Sequence, residues 1–355
     1  YLKMFQDMGW ETAVASKNDY ENPADCRIPY CDTYYDIPFE RLPWKPKNFR
    51  AYRMLKKIID EGEYDIIHCH TPVGAMIARL AALAARKKGT KVVYTAHGFH
   101  FFKGAPLVNW LLFYPAEKLL APVTDVLITI NKEDHALALK KLKAKRIEYV
   151  PGVGIHTEKF REIPGLRESK RQELGYGGQD FLMLTVAEMT PNKNHITILK
   201  AMALLKDRAE FADMHYLICG RGEMWDSLEQ SAKELGIAEH VHFLGYRNDA
   251  PALYQSSDLF VFMSFREGLS VALMEAMSSG MPIMCTKIRG NVDLIDDGIS
   301  GRFCENDPEA VAKMLLEFHR DPEKRKDLGC GAARKAQQFD DKNVHRQVKE
   351  IYLSL

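Results

Sequence analysis

Residues 259–286 read LFVFMSFREGLSVALMEAMSSGMPIMCT, and this stretch has the clearest strand–helix–strand pattern of the chain. It opens with five apolar residues, which predict a buried strand, and passes into a polar loop containing Glu267 and Gly268. A helix is predicted from about Ser270 to Ser279, and a second apolar run at 282–286 predicts the next strand. A strand, a helix and a strand in this order form a βαβ unit with two parallel strands.

The same alternation runs along the whole chain. Strands are predicted at 12–15, 66–69, 91–95, 126–130 and 148–150 in the first half, and at 181–187, 215–219, 241–244, 259–263, 282–286 and 301–303 in the second. Helices are predicted at 49–61, 74–87, 108–120, 132–142, 194–207, 224–235, 250–256, 270–279, 308–320, 322–337 and 343–355. The predicted fold class is α/β, with two doubly wound Rossmann-like domains facing across a cleft.

The 355 residues exceed what one core usually holds, so two domains are expected. The first is predicted at 1–150, and the Pro- and Gly-rich segment 151–165 is interpreted as a linker. The second is predicted at 166–338, and a C-terminal helix at 339–355 is expected to pack back on the first. Because residues 1–8 already predict a helix, the first strand of the first domain is expected to be missing from this numbering.

Composition excludes several classes of protein. The 49 Lys and Arg against 48 Asp and Glu argue against a nucleic-acid binder, which would carry a basic excess. Seven scattered cysteines favour neither a disulfide framework nor a metal knuckle, and they fit a reducing cytoplasm. The sequence contains no run of about 20 uninterrupted apolar residues, so no membrane-spanning helix is predicted.

The loop after residue 263 has the residue types of a binding site. Gly268 allows a ligand to approach the backbone, and the helix start near Ser270 presents free N–H groups to an anion. Glu267 and Glu275 add two carboxylates, which suit sugar hydroxyls better than phosphate. The alternatives remain open from these residues alone: Glu267 as an acid stabilised by the helix dipole, and Glu275 on an exposed helix face.

The E-x7-E spacing of Glu267 and Glu275, followed by AMSSGMPI, resembles the signature of retaining glycosyltransferases of the family 4 type, which have the GT-B fold. Further stretches look like landmarks of that family in the right order: DLFVF at 258–262, FLGYR at 243–247 and NVDLIDDGISG at 291–301. VAEMTPNKN at 186–194 resembles its phosphate-binding loop, and TAHG at 95–98 its donor-sugar histidine motif.

The resemblance implies a role for each matching position. The implied catalytic residues are Glu267 and His97 at the transferred sugar and Lys193 at the diphosphate. The implied donor-binding residues are Glu188, Arg247, Gly268, Leu269, Ser270 and Glu275, with Glu275 at the ribose and Arg247 at the nucleobase. Lys193 and the helix start would replace a divalent metal, so neither metal nor cofactor is expected. Glu188 departs from the family, which usually has an arginine there.

The resemblance implies a retaining hexosyltransferase that moves a hexose or N-acetylhexosamine from a nucleotide sugar, most simply a UDP-sugar. The expected acceptor is a glycan or a polyprenyl-diphosphate-linked sugar in bacterial capsule or exopolysaccharide synthesis. Two alternatives stay open. One is a nucleotide-sugar 2-epimerase of the same fold, and the other is a catalytically weak nucleotide-sugar-binding scaffold.

Two segments bear on membrane contact. Residues 44–50 (WKPKNFR) mix aromatic and basic side chains, and residues 109–114 (NWLLFY) are strongly apolar. Residues 1–150 carry 23 Lys and Arg against 17 Asp and Glu, which fits an anionic membrane or a phosphate-bearing acceptor as well as ordinary surface variation. A core helix at 109–114 is the favoured alternative. The expected location is the cytoplasm, with peripheral contact at the inner face of the membrane.

Overall fold

The structure, a computed structural model, describes residues 1–355, which divide into two compact units. The first unit comprises Tyr1–Gly152 together with Val344–Leu355, and the second is the continuous segment Val153–Asn343. Both units alternate strands and helices, and every sheet in the chain is parallel. The predicted α/β class is therefore confirmed.

In the first unit the strands are β1 (Ala13–Ser16), β2 (Thr33–Asp36), β3 (Ile66–His70), β4 (Lys91–Ala96), β5 (Val126–Thr129) and β6 (Arg146–Tyr149). Its helices are α1 (Leu2–Asp7), α2 (Pro46–Gly62), α3 (Pro72–Ala81), α4 (Leu83–Lys87), α5 (Leu107–Leu120) and α6 (Lys132–Lys141). Strands β3 to β6 form a four-stranded sheet in chain order, and β1 pairs only with β2.

In the second unit the strands are β7 (Phe181–Val186), β8 (Met214–Cys219), β9 (Val241–Gly245), β10 (Leu259–Phe262), β11 (Ile283–Thr286) and β12 (Arg302–Cys304). Its helices are α7 (Leu166–Leu174), α8 (His195–Leu205), α9 (Trp225–Glu234), α10 (Ala250–Ser256), α11 (Val271–Ser278), α12 (Asn291–Leu294), α13 (Pro308–Arg320) and α14 (Pro322–Ala336). A last helix, α15 (Asp341–Leu353), ends the chain.

The six strands of the second unit lie in the order β12-β11-β10-β7-β8-β9. The chain starts at the middle strand β7, runs outward through β8 and β9, and then returns to β10 on the other side of β7. Strands β7 and β10 are therefore the neighbours at which the strand order reverses. In open α/β sheets, ligands bind outside the carboxyl ends of the strands at this switch point.

Helix α15 belongs to the first unit from Val344 onward, although about 190 residues of the second unit precede it. Its apolar face, which includes Val348 and Tyr352, is buried in one cluster with Phe5 of α1, Val93 of β4 and Val150. Both ends of the chain thus contribute to the core of the first unit.

A buried ion pair joins α3 to α5. The Arg79 guanidinium donates to both Glu117 carboxylate oxygens at 2.8 and 3.0 Å, and its Nε donates to the Ala75 carbonyl at 3.0 Å. It also lies 4.4 Å from the centre of the Tyr94 ring. The two charged side chains are 2% and 7% exposed, so each depends on the other for its charge to be compensated.

Several details differ from the sequence-based expectation. Strand β2 was not predicted, and the single helix expected at 74–87 is interrupted at Ala82 between α3 and α4. Part of the expected linker belongs to the second unit: Ile155 forms a β-bridge with Asp340, and Phe160 is buried. The segment is held by these individual contacts and not by a long helix or strand. Its sequence therefore shows no regular pattern of apolar residues.

The apolar helix α5 is only partly a core element, contrary to the favoured reading of residues 109–114. Trp110, Phe113 and Tyr114 are partly buried against the core. Its large exposed side chains are Leu107, Val108, Leu111, Leu112 and Leu119. Every helix of the chain is too short or too polar to cross a bilayer.

Candidate active site

The loops that follow β7 and β10 are joined at the switch point. The Phe265 N–H donates to the Asn192 carbonyl at 2.9 Å, and the Asn192 amide donates to the Arg266 carbonyl at 3.0 Å. Asn194 adds a third bond from its side-chain nitrogen to the Met263 carbonyl at 3.2 Å. These contacts hold the predicted phosphate loop against the loop that contains Glu267.

Lys193 and Glu267, two of the predicted catalytic residues, meet across this junction. The Lys193 Nζ lies 2.8 Å from Glu267 Oε1, and the two side chains are 22% and 11% exposed. The same ammonium group lies 4.9 Å from the centre of the Phe262 ring. Partial burial makes this ion pair stronger than one in open solvent. Residues 74 positions apart in sequence are thereby brought into direct contact.

The backbone at Gly268, Leu269 and Ser270 leads into α11. The Ser270 hydroxyl accepts a hydrogen bond from the Leu273 N–H at 3.3 Å and so caps the helix. A Cβ at Gly290 would lie 2.4 Å from the Gly268 carbonyl oxygen, so the loop after β11 supports this turn by direct backbone contact. The other amide groups of the first helical turn lack intrahelical acceptors, which is the arrangement that binds anions.

Glu275 lies on α11 and accepts a hydrogen bond from the Tyr254 hydroxyl at 3.0 Å. Burial raises the pKa of the Glu275 carboxyl, and the bond from Tyr254 opposes that shift. Sequence analysis missed Tyr254, because its helix α10 shows only an apolar pattern around it. The contact makes Glu275 a half-buried and oriented carboxylate, so the alternative of a merely exposed helix face does not describe it.

We expect donor binding to depend on pH through Glu275. If its carboxylate accepts ribose hydroxyls, UDP affinity should fall as the pH drops toward the raised pKa and the group becomes protonated. Tyr254→Phe removes the bond that lowers this pKa, so the loss should begin at a higher pH. Calorimetric titration of UDP at several pH values checks the shift. Identical profiles in the two proteins would contradict a role for Glu275 in nucleotide binding.

Arg247 and Glu188 are not in contact with the Lys193–Glu267 pair. The Arg247 guanidinium is paired with Asp249 at 2.6 Å and with Glu173 at 3.5 Å, and these partners raise the pKa of Arg247. Glu188 is exposed beyond the end of β7 and forms no ion pair. The structure thus places the two residues on separate loops of the sheet edge, and their donor-binding roles stay predictions.

His97 follows β4 in the first unit and belongs to a small histidine cluster. Its Nε2 lies 2.9 Å from His70 Nδ1, and burial together with the nearby His97 lowers the pKa of His70 to about 4. His68 contacts the Thr95 hydroxyl at 2.7 Å and the Tyr352 hydroxyl of α15. No group of three or more His, Cys, Asp or Glu side chains is arranged to hold a metal ion.

The fold and this arrangement at the switch point are compatible with a glycosyltransferase, and comparison with known proteins identifies the family. Residues 167–335 match the family described as glycosyl transferases group 1, and residues 2–158 match glycosyltransferase family 4. The chain is 40% identical over 356 residues to EpsD of Bacillus subtilis strain 168, named as a glycosyltransferase, and the match covers 99% of this chain and 91% of EpsD. The chain therefore belongs to these glycosyltransferases.

One further sequence relative agrees with this assignment, and one solved structure shows the fold. The Escherichia coli UDP-Gal:α-D-GlcNAc-diphosphoundecaprenol α-1,3-galactosyltransferase is 29% identical over 280 residues, which cover 78% of this chain and 71% of that enzyme. The crystal structure of HepE from Anabaena with UDP and glucose superimposes with a TM-score of 0.82 at 19% identity, covering 100% of this chain and 95% of HepE. The structural match shows that the chain has the GT-B fold, as predicted.

Proposed function

We propose that this glycosyltransferase moves a hexose or N-acetylhexosamine from a UDP-sugar with retention of anomeric configuration. The observation that carries the proposal is the contact between Lys193 and Glu267 at the switch point, beside the start of α11. A cation, a carboxylate and free amide groups at one place suit a diphosphate linked to a sugar.

In this proposal Lys193 has two tasks. Its ammonium group has three donors, of which one is directed at Glu267 and the others are available to diphosphate oxygens. The positive charge stabilises the leaving nucleoside diphosphate as the glycosidic bond breaks. The Lys193 contact also orients Glu267, whose second oxygen is then available to hydroxyls of the transferred sugar.

The acceptor is proposed from the relatives. The E. coli relative acts on a sugar linked to diphosphoundecaprenol, as its name states. We infer that this chain uses a glycan or a polyprenyl-diphosphate-linked acceptor in exopolysaccharide synthesis, and that no metal or cofactor takes part. Lys193 and the helix start supply the charge compensation that a divalent ion gives other transferases.

A donor panel tests the proposal. With UDP-sugars and a lipid-linked acceptor, we expect released UDP and a glycosylated product, with turnover unchanged in EDTA. Loss of turnover in EDTA with recovery in Mn²⁺ would contradict the metal-independent mechanism. An epimerised nucleotide sugar without transfer would favour the epimerase alternative, and UDP-sugar binding without any turnover would favour a binding scaffold.

Membrane contact is proposed for the segment 41–57 of the first unit. It contains seven basic residues: Arg41, Lys45, Lys47, Arg50, Arg53, Lys56 and Lys57. Three of them, Lys47, Lys56 and Lys57, form ion pairs with acidic residues just outside the segment, and the other four form none. Leu42, Trp44 and Phe49 are exposed by 44%, 65% and 64%. Buried Asn48 ties the loop to α2 by donating to the Leu42 carbonyl at 2.8 Å. Exposed apolar side chains among basic ones suit the interface of an anionic bilayer.

Vesicle binding checks this surface. The double variant Trp44→Ala/Phe49→Ala should bind vesicles containing anionic lipid roughly 10-fold more weakly than the unmodified protein, because both rings lose their place at the interface. Tyr20→Ala, another exposed aromatic residue of the same unit, serves as the matched control. Equal binding by all three proteins, or equal binding to zwitterionic and anionic vesicles, would contradict the assignment.

A further inference from the structure

The loop after β7 carries little net positive charge at the predicted diphosphate position. Lys193 is the only cation of its loop, and one of its three donors is directed at Glu267. Glu188, at the end of β7, adds a second carboxylate without an ion-pair partner. The two carboxylates offset the charges of Lys193 and of Arg266, which contacts Asn192, whereas a diphosphate carries several negative charges. A further guanidinium near this loop would add to the charge compensation that Lys193 and the helix start provide.

Arg221 lies on the neighbouring strand end, in backbone contact with the residues around Glu188. It stands in the turn Gly220–Arg221–Gly222 that follows β8, and β8 pairs with β7. The Met189 N–H donates to the Arg221 carbonyl at 2.9 Å. The backbone of the turn is therefore fixed against the loop after β7.

The two glycines of this turn permit the close approach. A Cβ at Gly220 would lie 2.0 Å from the Ala187 carbonyl oxygen, and one at Gly222 would lie 2.4 Å from the Met189 carbonyl oxygen. Gly220 also has a φ of +151°, which disfavours other residues. Only Arg221 of the turn carries a side chain, and it projects from a backbone held beside residues 187–189.

The Arg221 side chain is exposed and forms no ion pair or side-chain hydrogen bond. The other arginines at this edge of the sheet are engaged. Arg247 is paired with Asp249, and Arg289 donates to the Glu267 carbonyl at 3.2 Å. Arg266 donates to the Asn192 side chain at 3.5 Å. Arg221 is thus the arginine whose guanidinium N–H donors are all available to a ligand. The planar arrangement of these donors suits hydrogen bonds to two phosphate oxygens.

We propose that Arg221 binds the diphosphate of the donor and supplies, from the loop after β8, the positive charge that the loop after β7 lacks at Glu188. This inference rests on the proposed function, since it requires a nucleoside diphosphate donor. It adds a donor-binding residue and explains how a carboxylate is tolerated at position 188.

Calorimetry with UDP and UMP tests the role of Arg221. Arg221→Ala should weaken UDP binding roughly 10-fold or more and UMP binding by less than about 3-fold, because UMP lacks the β-phosphate. Arg208→Ala is the matched control: Arg208 is also exposed and makes no ion pair, but it precedes β8 at the opposite end of the strand. This control should bind both nucleotides like the unmodified protein.

A second variant tests whether an arginine on the loop after β7 can replace Arg221 on the loop after β8. Glu188→Arg in the Arg221→Ala background should restore most of the UDP affinity. If the unmodified protein binds UDP and Arg221→Ala binds it equally well, the inference is overturned while the proposed function stands. If the double variant binds UDP as weakly as Arg221→Ala does, the proposal that Arg221 compensates for Glu188 is overturned. If the unmodified protein binds no UDP, the proposed UDP donor itself is wrong.

Discussion

Replacing Glu267 by glutamine is expected to lower kcat by roughly 100-fold or more, while UDP affinity changes by less than about 3-fold. Glutamine keeps the shape of the side chain but removes the charge paired with Lys193 at 2.8 Å. The proposed contact of Glu267 is to the sugar as positive charge develops, so the loss should appear in the chemical step. Steady-state kinetics and UDP calorimetry on the same preparation separate the two effects.

Glu239→Gln is the matched control, because Glu239 is exposed and precedes β9, at the opposite end of a strand in the same unit. Lys193→Ala should differ from Glu267→Gln by weakening UDP binding as well, since it removes a contact to the diphosphate. Full turnover with Glu267→Gln would show that this residue is only an acid at the start of the helix, without a role in the reaction.

NMR of the product is the test of stereochemistry: a β-linked product from an α-linked donor would contradict retention.

Glu117→Gln is expected to destabilise the first unit by about 3–5 kcal/mol. The substitution leaves the Arg79 guanidinium buried without a counter-charge, and Arg79 is 2% exposed at its side chain. Urea unfolding, followed by a probe in the first unit, measures the loss. The double variant Arg79→Met/Glu117→Leu should recover most of it, because two apolar side chains of similar size need no charge compensation. A single variant as stable as the unmodified protein would show that the pair contributes little.

Much of the fold could be predicted because it follows from local periodicity. The apolar run at 259–263 and the helix after Ser270 correspond to β10 and α11 within one or two residues. Strand β2 was missed because it is only four residues long, TYYD. Its side chains are at most half-buried, and its sequence shows no alternation of apolar and polar residues. The contribution of 153–165 to the second unit was missed because single long-range contacts such as Ile155–Asp340 leave no periodic signal.

The candidate site was predictable where motif and topology coincide. Lys193 and Glu267 were singled out from separate stretches, and parallel strands β7 and β10 bring their loops together. Residues that position a site residue through a long-range contact have neither a motif nor a predictable place in the topology. Tyr254, which holds Glu275, lies in an apolar helix, and the pairing of Arg247 with Glu173 depends on how α7 packs.

The position of α15 has a consequence for the order in which the chain can fold during synthesis. The second unit is continuous and can complete its core once residue 343 has left the ribosome. The first unit waits for residues 344–355, because Val348 and Tyr352 cover Phe5 and Val93. Its apolar cluster therefore stays open while the whole second unit is being translated. This interval is when the nascent chain is most exposed to aggregation and to chaperone binding.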